Sequence, residues 1–291
     1  MLLNNIEIKV DCFNLKYTLE CGQCFRWEKV EDEPNTFIGV IHDRVLKVKQ
    51  DGDTLYISSN KEENLEDVVR KYFDLDKDYR SIEKIISKFD KNVEKAVKNT
   101  SGIRHLKQDF FETLLSFIIS SNNNIPRISK SIKTISSKYG TKVMFEGKEY
   151  YLFPTKEQLK DVTSQEYRDC GVGFRDRYLK STVEDMLNNK IDINNIDNLS
   201  TEELRKELLT LKGVGPKVAD CIMLFSCNKD DVFPIDVWVE RVMSILYFRE
   251  YKGKMTKKDI IEYASKNFGK YSGIVQQHLF YNIREGKIKL S

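Results

Sequence analysis

The chain has 291 residues, of which 40% are hydrophobic and 32% charged, proportions of a folded globular protein rather than a disordered or fibrous one, with room for two domains. Its 48 basic and 45 acidic residues leave a net charge of +3, so bulk charge does not point to nucleic acid and any such footprint must come from local placement. No apolar run approaches the ~18–20 residues of a membrane span. The start MLLNNIEIKVDC lacks the basic opening and long apolar stretch of a signal peptide. The six cysteines at 12, 21, 24, 170, 221 and 227 therefore read as reduced thiols in a cytosolic protein.

The first ~60 residues read as strands. Ile6, Ile8 and Val10 alternate with polar residues, as do Leu15, Tyr17 and Leu19. Apolar runs follow at 37–41 and 44–48, and Asp51-Gly52 marks a turn before a strand at 54–58. An antiparallel sheet accounts for them, with Phe25 and Trp27 in its core. From about Leu65 the period becomes helical. Ile82, Ile85, Ile86, Phe89 and Val93 repeat at helix spacing. Ile125, Ile128, Ile132 and Ile135 do the same and stop at Gly140, placed as the residue past a helix end. Ser200 with Glu203 and Thr256 with Asp259 read as capping boxes, the second leading into Ile260, Ile261, Ala264 and Phe268 with Gly269 beyond. The expectation is an α+β protein: a small antiparallel sheet domain with flanking helices over 1–99, then a mainly helical domain over 100–291.

The chemistry concentrates between 211 and 236, LKGVGPKVADCIMLFSCNKDDVFPID. Gly213 and Gly215 permit backbone angles denied to other residues and let a foreign group come close. Pro216 suits the first turn of the next helix. The free N–H groups at that helix start can hold a phosphate without regard to sequence, although a lone Gly-x-Gly turn is more often structural. Lys217 falls at the second helical position, where the helix dipole and burial both favour an uncharged, nucleophilic amine. Most lysines are solvated surface groups, but one at a helix start opposes the usual charge preference. Cys221, one turn on, reads as a small core residue on the same face. Asp236 caps the next helix, and a capping carboxylate stays ionised, suited to stabilising positive charge rather than taking a proton.

This segment resembles the helix-hairpin-helix DNA glycosylases, and more narrowly the 8-oxoguanine DNA glycosylase/AP lyase family. Four further segments agree in order: Gly22-Gln23-Cys24-Phe25-Arg26-Trp27, the SSNNN-I-x-R-I run from Ser120 to Ile128, Gly171-Val172-Gly173-Phe174-Arg175, and Gln276 with Phe280 in VQQHLF. The resemblance covers about 19–284. It implies that Lys217 attacks the deoxyribose C1′ to form a Schiff base and that Asp236 stabilises the cationic sugar. It implies that the Gly22 carbonyl accepts from the N7–H of 8-oxoguanine, that Gln276 binds the pairing edge of the flipped base, and that Phe280 stacks on its face, with Cys221 also at the base. Asn122, Arg127 and Arg175 would fill the vacated gap and meet the orphaned cytosine, beside Phe174. Gly213, Gly215 and Trp238 would meet the DNA backbone. The implied partner is duplex DNA carrying 8-oxoguanine, bound by a monomer in the cytoplasm or at the nucleoid, without a membrane. No cofactor or metal is implied: Cys21 and Cys24 form a lone C-x-x-C, and the four-cysteine iron–sulfur pattern of some related glycosylases does not occur.

Simpler assignments stand beside these. Asn122 to Asn124 could cap the following helix, Phe280 could be core, and Arg127 and Arg175 could be solvated. Phe174 stands where many members have tyrosine and Trp238 where many have histidine, which leaves strictness for the opposite cytosine, and phosphate contact or lysine activation, open. A non-catalytic helix-hairpin-helix DNA-binding module would need the hairpin but not Lys217 and Asp236. A glycosylase for another base, such as thymine glycol or an alkylated adenine, would not need Gly22, Gln276 and Phe280. A lipid or small-ligand binder would not need the hairpin.

Overall fold

The structure, a computed structural model, describes residues 4–250 and 255–286. Strands β1 (Asn4–Lys9), β2 (Trp27–Lys29), β3 (Thr36–Ile41), β4 (Arg44–Asp51) and β5 (Thr54–Ser59) form one antiparallel sheet in the order β1-β5-β4-β3-β2. Gly52, at φ 56°, makes the expected turn between β4 and β5. The segment with Leu15, Tyr17 and Leu19 is not a strand but a helix, α1 (Leu15–Glu20). Asn14 caps it, its side chain accepting from Tyr17 N at 2.9 Å, and Leu15, Thr18 and Leu19 bury one face. Over six residues an i, i+4 apolar pair imitates alternation, and the cap decides for the helix.

Helix α2 (Leu65–Tyr72) covers the sheet: Leu65 and Val69 share a core with Ile8, Phe37, Val48 and Ile57. The apolar repeat at 82–93 is split into α3 (Tyr79–Ile86) and α4 (Lys91–Thr100), because Asp90 caps α4 by accepting from Asn92 N and Val93 N at 2.7 and 3.0 Å. Then follow α5 (Phe110–Ser120), α6 (Ile125–Tyr139), the hairpin β6 (Lys142–Phe145) and β7 (Lys148–Tyr151), α7 (Ser164–Tyr167), α8 (Asp176–Leu187), α9 (Thr201–Leu208) and α10 (Pro216–Ser226). Last come α11 (Val237–Tyr247), α12 (Lys257–Phe268) and α13 (Ser272–Arg284). Both capping boxes form as expected. Gly140 does follow α6, but at φ −84°, not left-handed. A Cβ there would come within 2.0 Å of the Leu152 carbonyl oxygen, so close backbone approach is what requires glycine.

The helical part has two cores. One joins α5, α6, α8, α9 and α10; the other joins α3 and α4 to α11, α12 and α13. Phe25, expected in the sheet core, instead packs on Phe117 of the first helical core, with ring centroids 5.4 Å apart. Trp27 stays with the sheet, donating from Nε1 to the Tyr72 hydroxyl at 2.9 Å.

Candidate active site

The hairpin lies between α9 and α10. Gly213 sits at φ 85°, and a Cβ there would strike the Tyr178 ring at 2.7 Å. Gly215 differs: it is extended, at φ −98°, and a Cβ on it would meet nothing within 4 Å. Its backbone is one any residue could adopt, so what remains to favour glycine is approach from outside. Gly215 is the residue before α10 and supplies no side-chain cap, while Pro216 takes the first position. The helix therefore presents an uncapped N-terminus, an anion-binding arrangement.

Lys217 rises from this first turn, its Nζ 5.1 Å above the centre of the Phe117 ring. Asp236 caps α11, one carboxylate oxygen accepting from Val239 N at 2.8 Å, the other unpartnered among the described residues. Both side chains line the same two spaces. The outer one is a cleft of about 1020 Å³ bounded by the 120–126 segment that joins α5 to α6, the start of α10, Asp236, Trp238 and Phe280. The inner one, about 50 Å³, is lined by Lys217 and Asp236 with Gly22, Cys221, Gln276 and Phe280. It is far below the ~300–1,000 Å³ of ligand pockets, so a base entering it must widen it. Burial pushes the Cys221 thiol up to about 11, against the pull of the Lys217 amine beside it. Cys221 is thus a neutral wall of the cavity.

Gly22 is held at φ 86°. The resemblance gave Gln23 no role, yet it fixes the loop. Fully buried, it donates to the Thr18 and Arg104 carbonyls at 2.8 and 2.7 Å and accepts from Leu106 N at 2.9 Å. Its own carbonyl accepts from Gln108 at 2.7 Å. Arg26 ties the next residues to Glu112 at 3.2 Å and to the Tyr151 carbonyl. A glutamine set between Gly22 and the apolar Cys24 and Phe25 was the available signal. Across the cavity, α13 presents Gln276, whose Nε2 donates to the Pro234 carbonyl at 3.3 Å while Oε1 is buried without a partner among the described residues. Such an orphan acceptor fits a site that a ligand completes.

The proposed opposite-base residues form a second group. Asn122 is left-handed at φ 50°, exposed, and lines the outer cleft; the cap of α6 is Asn124, accepting from Arg127 N at 3.1 Å. Arg175 is buried, not solvated, and donates to the Ser121, Asn122 and Val172 carbonyls, bracing the asparagine loop. Its guanidinium lies 4.3 Å from the centre of the exposed Phe174 ring. Arg127 is exposed, and Arg127, Phe174 and Arg175 stand outside the lining of both spaces. Trp238, half exposed, lines the cleft. Among the described residues no cluster of three His, Cys, Asp or Glu could hold a metal, and no helix is long and apolar enough to cross a membrane.

Residues 5–114 match the 8-oxoguanine DNA glycosylase N-terminal domain, and residues 115–270 match the HhH-GPD superfamily of base excision DNA repair proteins. The N-glycosylase/DNA lyase of Saccharomyces cerevisiae is 31% identical over 276 residues, covering 87% of this chain and 72% of that protein. The Clostridium acetobutylicum 8-oxoguanine glycosylase/lyase, solved with double-stranded DNA containing cytosine opposite 8-oxoguanine, superposes with a TM-score of 0.90 at 41% identity over 99% of both chains. Its apo-form does so with the same TM-score and identity over 97% of this chain and 98% of that one. A sheet domain and a hairpin domain meeting around one lysine and one aspartate, with these matches along nearly the whole length, place the chain in the 8-oxoguanine DNA glycosylase/lyase family of the HhH-GPD superfamily.

Proposed function

We propose that the protein removes 8-oxoguanine from duplex DNA and then nicks the strand. The observation that carries this is the shared cavity of Lys217 and Asp236, walled by Gly22, Cys221, Gln276 and Phe280. DNA lies along the outer cleft, with a phosphate at the α10 N-terminus. The damaged nucleotide swings out of the stack, which costs a few kcal/mol, and Asn122 holds the gap. The Gly22 carbonyl accepts from N7–H, a hydrogen that undamaged guanine lacks, and the mismatch with guanine's N7 acceptor costs ~1–3 kcal/mol.

As the C1′–N9 bond breaks, its electron pair leaves with the base and the free carboxylate oxygen of Asp236 faces the cationic sugar. The Lys217 amine bonds to C1′ and gives up a proton; the C1′–O4′ bond then breaks, O4′ takes up a proton as the sugar ring opens, and the nitrogen lone pair closes the C1′=N iminium. The iminium acidifies the C2′ hydrogen. Its removal drives out the 3′ phosphate and cuts the strand by β-elimination. We further propose that it acts as a monomer, in the cytoplasm or at the nucleoid where its DNA substrate lies.

Borohydride should trap a covalent complex between the protein and a duplex carrying 8-oxoguanine. Lys217→Gln should abolish the trap and leave DNA binding. Trapping by that variant would show another nucleophile, and no trapping by the wild type would end this reading.

A further inference from the structure

Arg284 has no part in the chemistry described so far. It lies on α13 one turn past Phe280, which is one turn past Gln276, so the three share a stripe of the helix. With Gly22 and Phe280 it lines the outer cleft. Its guanidinium is held on one side: Nη2 donates to the Glu20 carbonyl and to Glu285 at 3.1 Å, and Nε donates to the same Glu285 oxygen at 3.2 Å. Its centre stands 5.8 and 5.2 Å from the Phe280 and Tyr281 ring centroids. The other nitrogen, Nη1, is buried with no hydrogen-bond partner among the described residues. That nitrogen comes within 3.2 Å of where a Cβ on Gly22 would stand, and a Phe280 ring carbon comes within 3.5 Å. A buried charged donor without an acceptor calls for an explanation, and a ligand that brings the acceptor supplies one.

We propose that Arg284 is a base-recognition residue that donates from Nη1 to an oxygen on the N7 edge of the flipped base. In 8-oxoguanine N7–H is flanked by two acceptors, O6 and O8. A donor beside the Gly22 carbonyl therefore meets an acceptor whichever way the edge is turned. Undamaged guanine keeps O6 but lacks both N7–H and O8. The inference rests on the reading of this chain as an 8-oxoguanine glycosylase, and wild-type trapping on 8-oxoguanine DNA tests that reading separately.

The test uses the full-length Lys217→Gln protein, alone and with Arg284→Leu or Arg284→Lys added. Dissociation constants are measured on duplexes carrying 8-oxoguanine, 8-oxoadenine, which keeps N7–H and O8 but has an amine in place of O6, or a tetrahydrofuran abasic analogue, which has no base. Arg284→Leu should lower the preference for the 8-oxoguanine duplex over the abasic one about tenfold, and Arg284→Lys should restore part of it. An equal loss on 8-oxoadenine assigns O8; a loss confined to 8-oxoguanine assigns O6. If affinity falls equally on lesion and abasic duplexes, or on neither, Arg284 is a structural tie and the proposal is overturned.

Discussion

Asp236 combines two roles that a single atom separates. As the residue before α11 it accepts from Val239 N, a job asparagine performs about equally well. As the proposed anion facing the sugar it would need its charge. Asp236→Asn should therefore melt within about 1 kcal/mol of the wild type while single-turnover excision falls by roughly 10²-fold or more. Asp236→Ala should lose about 1 kcal/mol further, from the missing cap. Melting curves and excision rates on one preparation decide it, and an Asp236→Asn protein with full excision would reduce Asp236 to a cap. At this scale the meeting of Lys217 and Asp236 was legible because each stands at a helix start, whereas Gly22, Gln276 and Phe280 were named only by the resemblance. The tasks of Gln23 and Arg175 were not: beside one local carbonyl each, at Thr18 and Val172, they hold groups 53 to 85 residues away, and no local spacing announces those.

At the scale of elements, the two hairpin glycines should behave differently. Gly213→Ala places a side chain at φ 85° and drives its Cβ into Tyr178, so it should destabilise the protein by at least ~1–2 kcal/mol. Gly215→Ala strains nothing in the free protein, and its Tm should stay close to wild type. Its methyl group would stand at the mouth of α10, where a phosphate comes closest, so DNA affinity should fall several-fold. Anisotropy binding alongside thermal melts checks both, and unchanged affinity in Gly215→Ala would remove the phosphate from that turn. The sequence was readable here because glycine, proline and capping residues act over three or four positions. It misled where elements were short. In α1 six residues fit both periods, and β6 and β7, at four residues each, were not distinguished from the helices around them. The hairpin is held by a distant partner: Phe145 packs with Val40 and Val45 of the sheet.

At the scale of the molecule, α13 connects the base cavity to the core it shares with α4, and the joint contains a histidine. His278 is fully buried; its Nδ1 shares a hydrogen with Thr100 at 2.8 Å, and its Nε2 has no hydrogen-bond partner among the described residues. Glu83 stands 3.9 Å from that Nε2, but its two oxygens already accept from Ser101 and Gly102 N at 2.6 and 2.7 Å. Burial, with the His105 charge adding to it, pushes His278 down from 6.5 to about 3. The unfolded chain takes up this proton as pH drops below about 6.5, whereas the folded protein does not until about 3. The unfolded state therefore binds more protons throughout that window. Stability is complete above about 6.5 and declines as pH falls toward 3, at up to ~1.4 kcal/mol per pH unit from this residue. His278→Gln removes that proton, so its Tm should fall less steeply than the wild type's between pH 6 and 4, whatever its stability at pH 7. Equal slopes would show that His278 becomes protonated without unfolding the joint. Because Gln276 and Phe280 flank His278 on the same helix, lesion binding should weaken in step with the acid loss of stability in the wild type, and less so in His278→Gln.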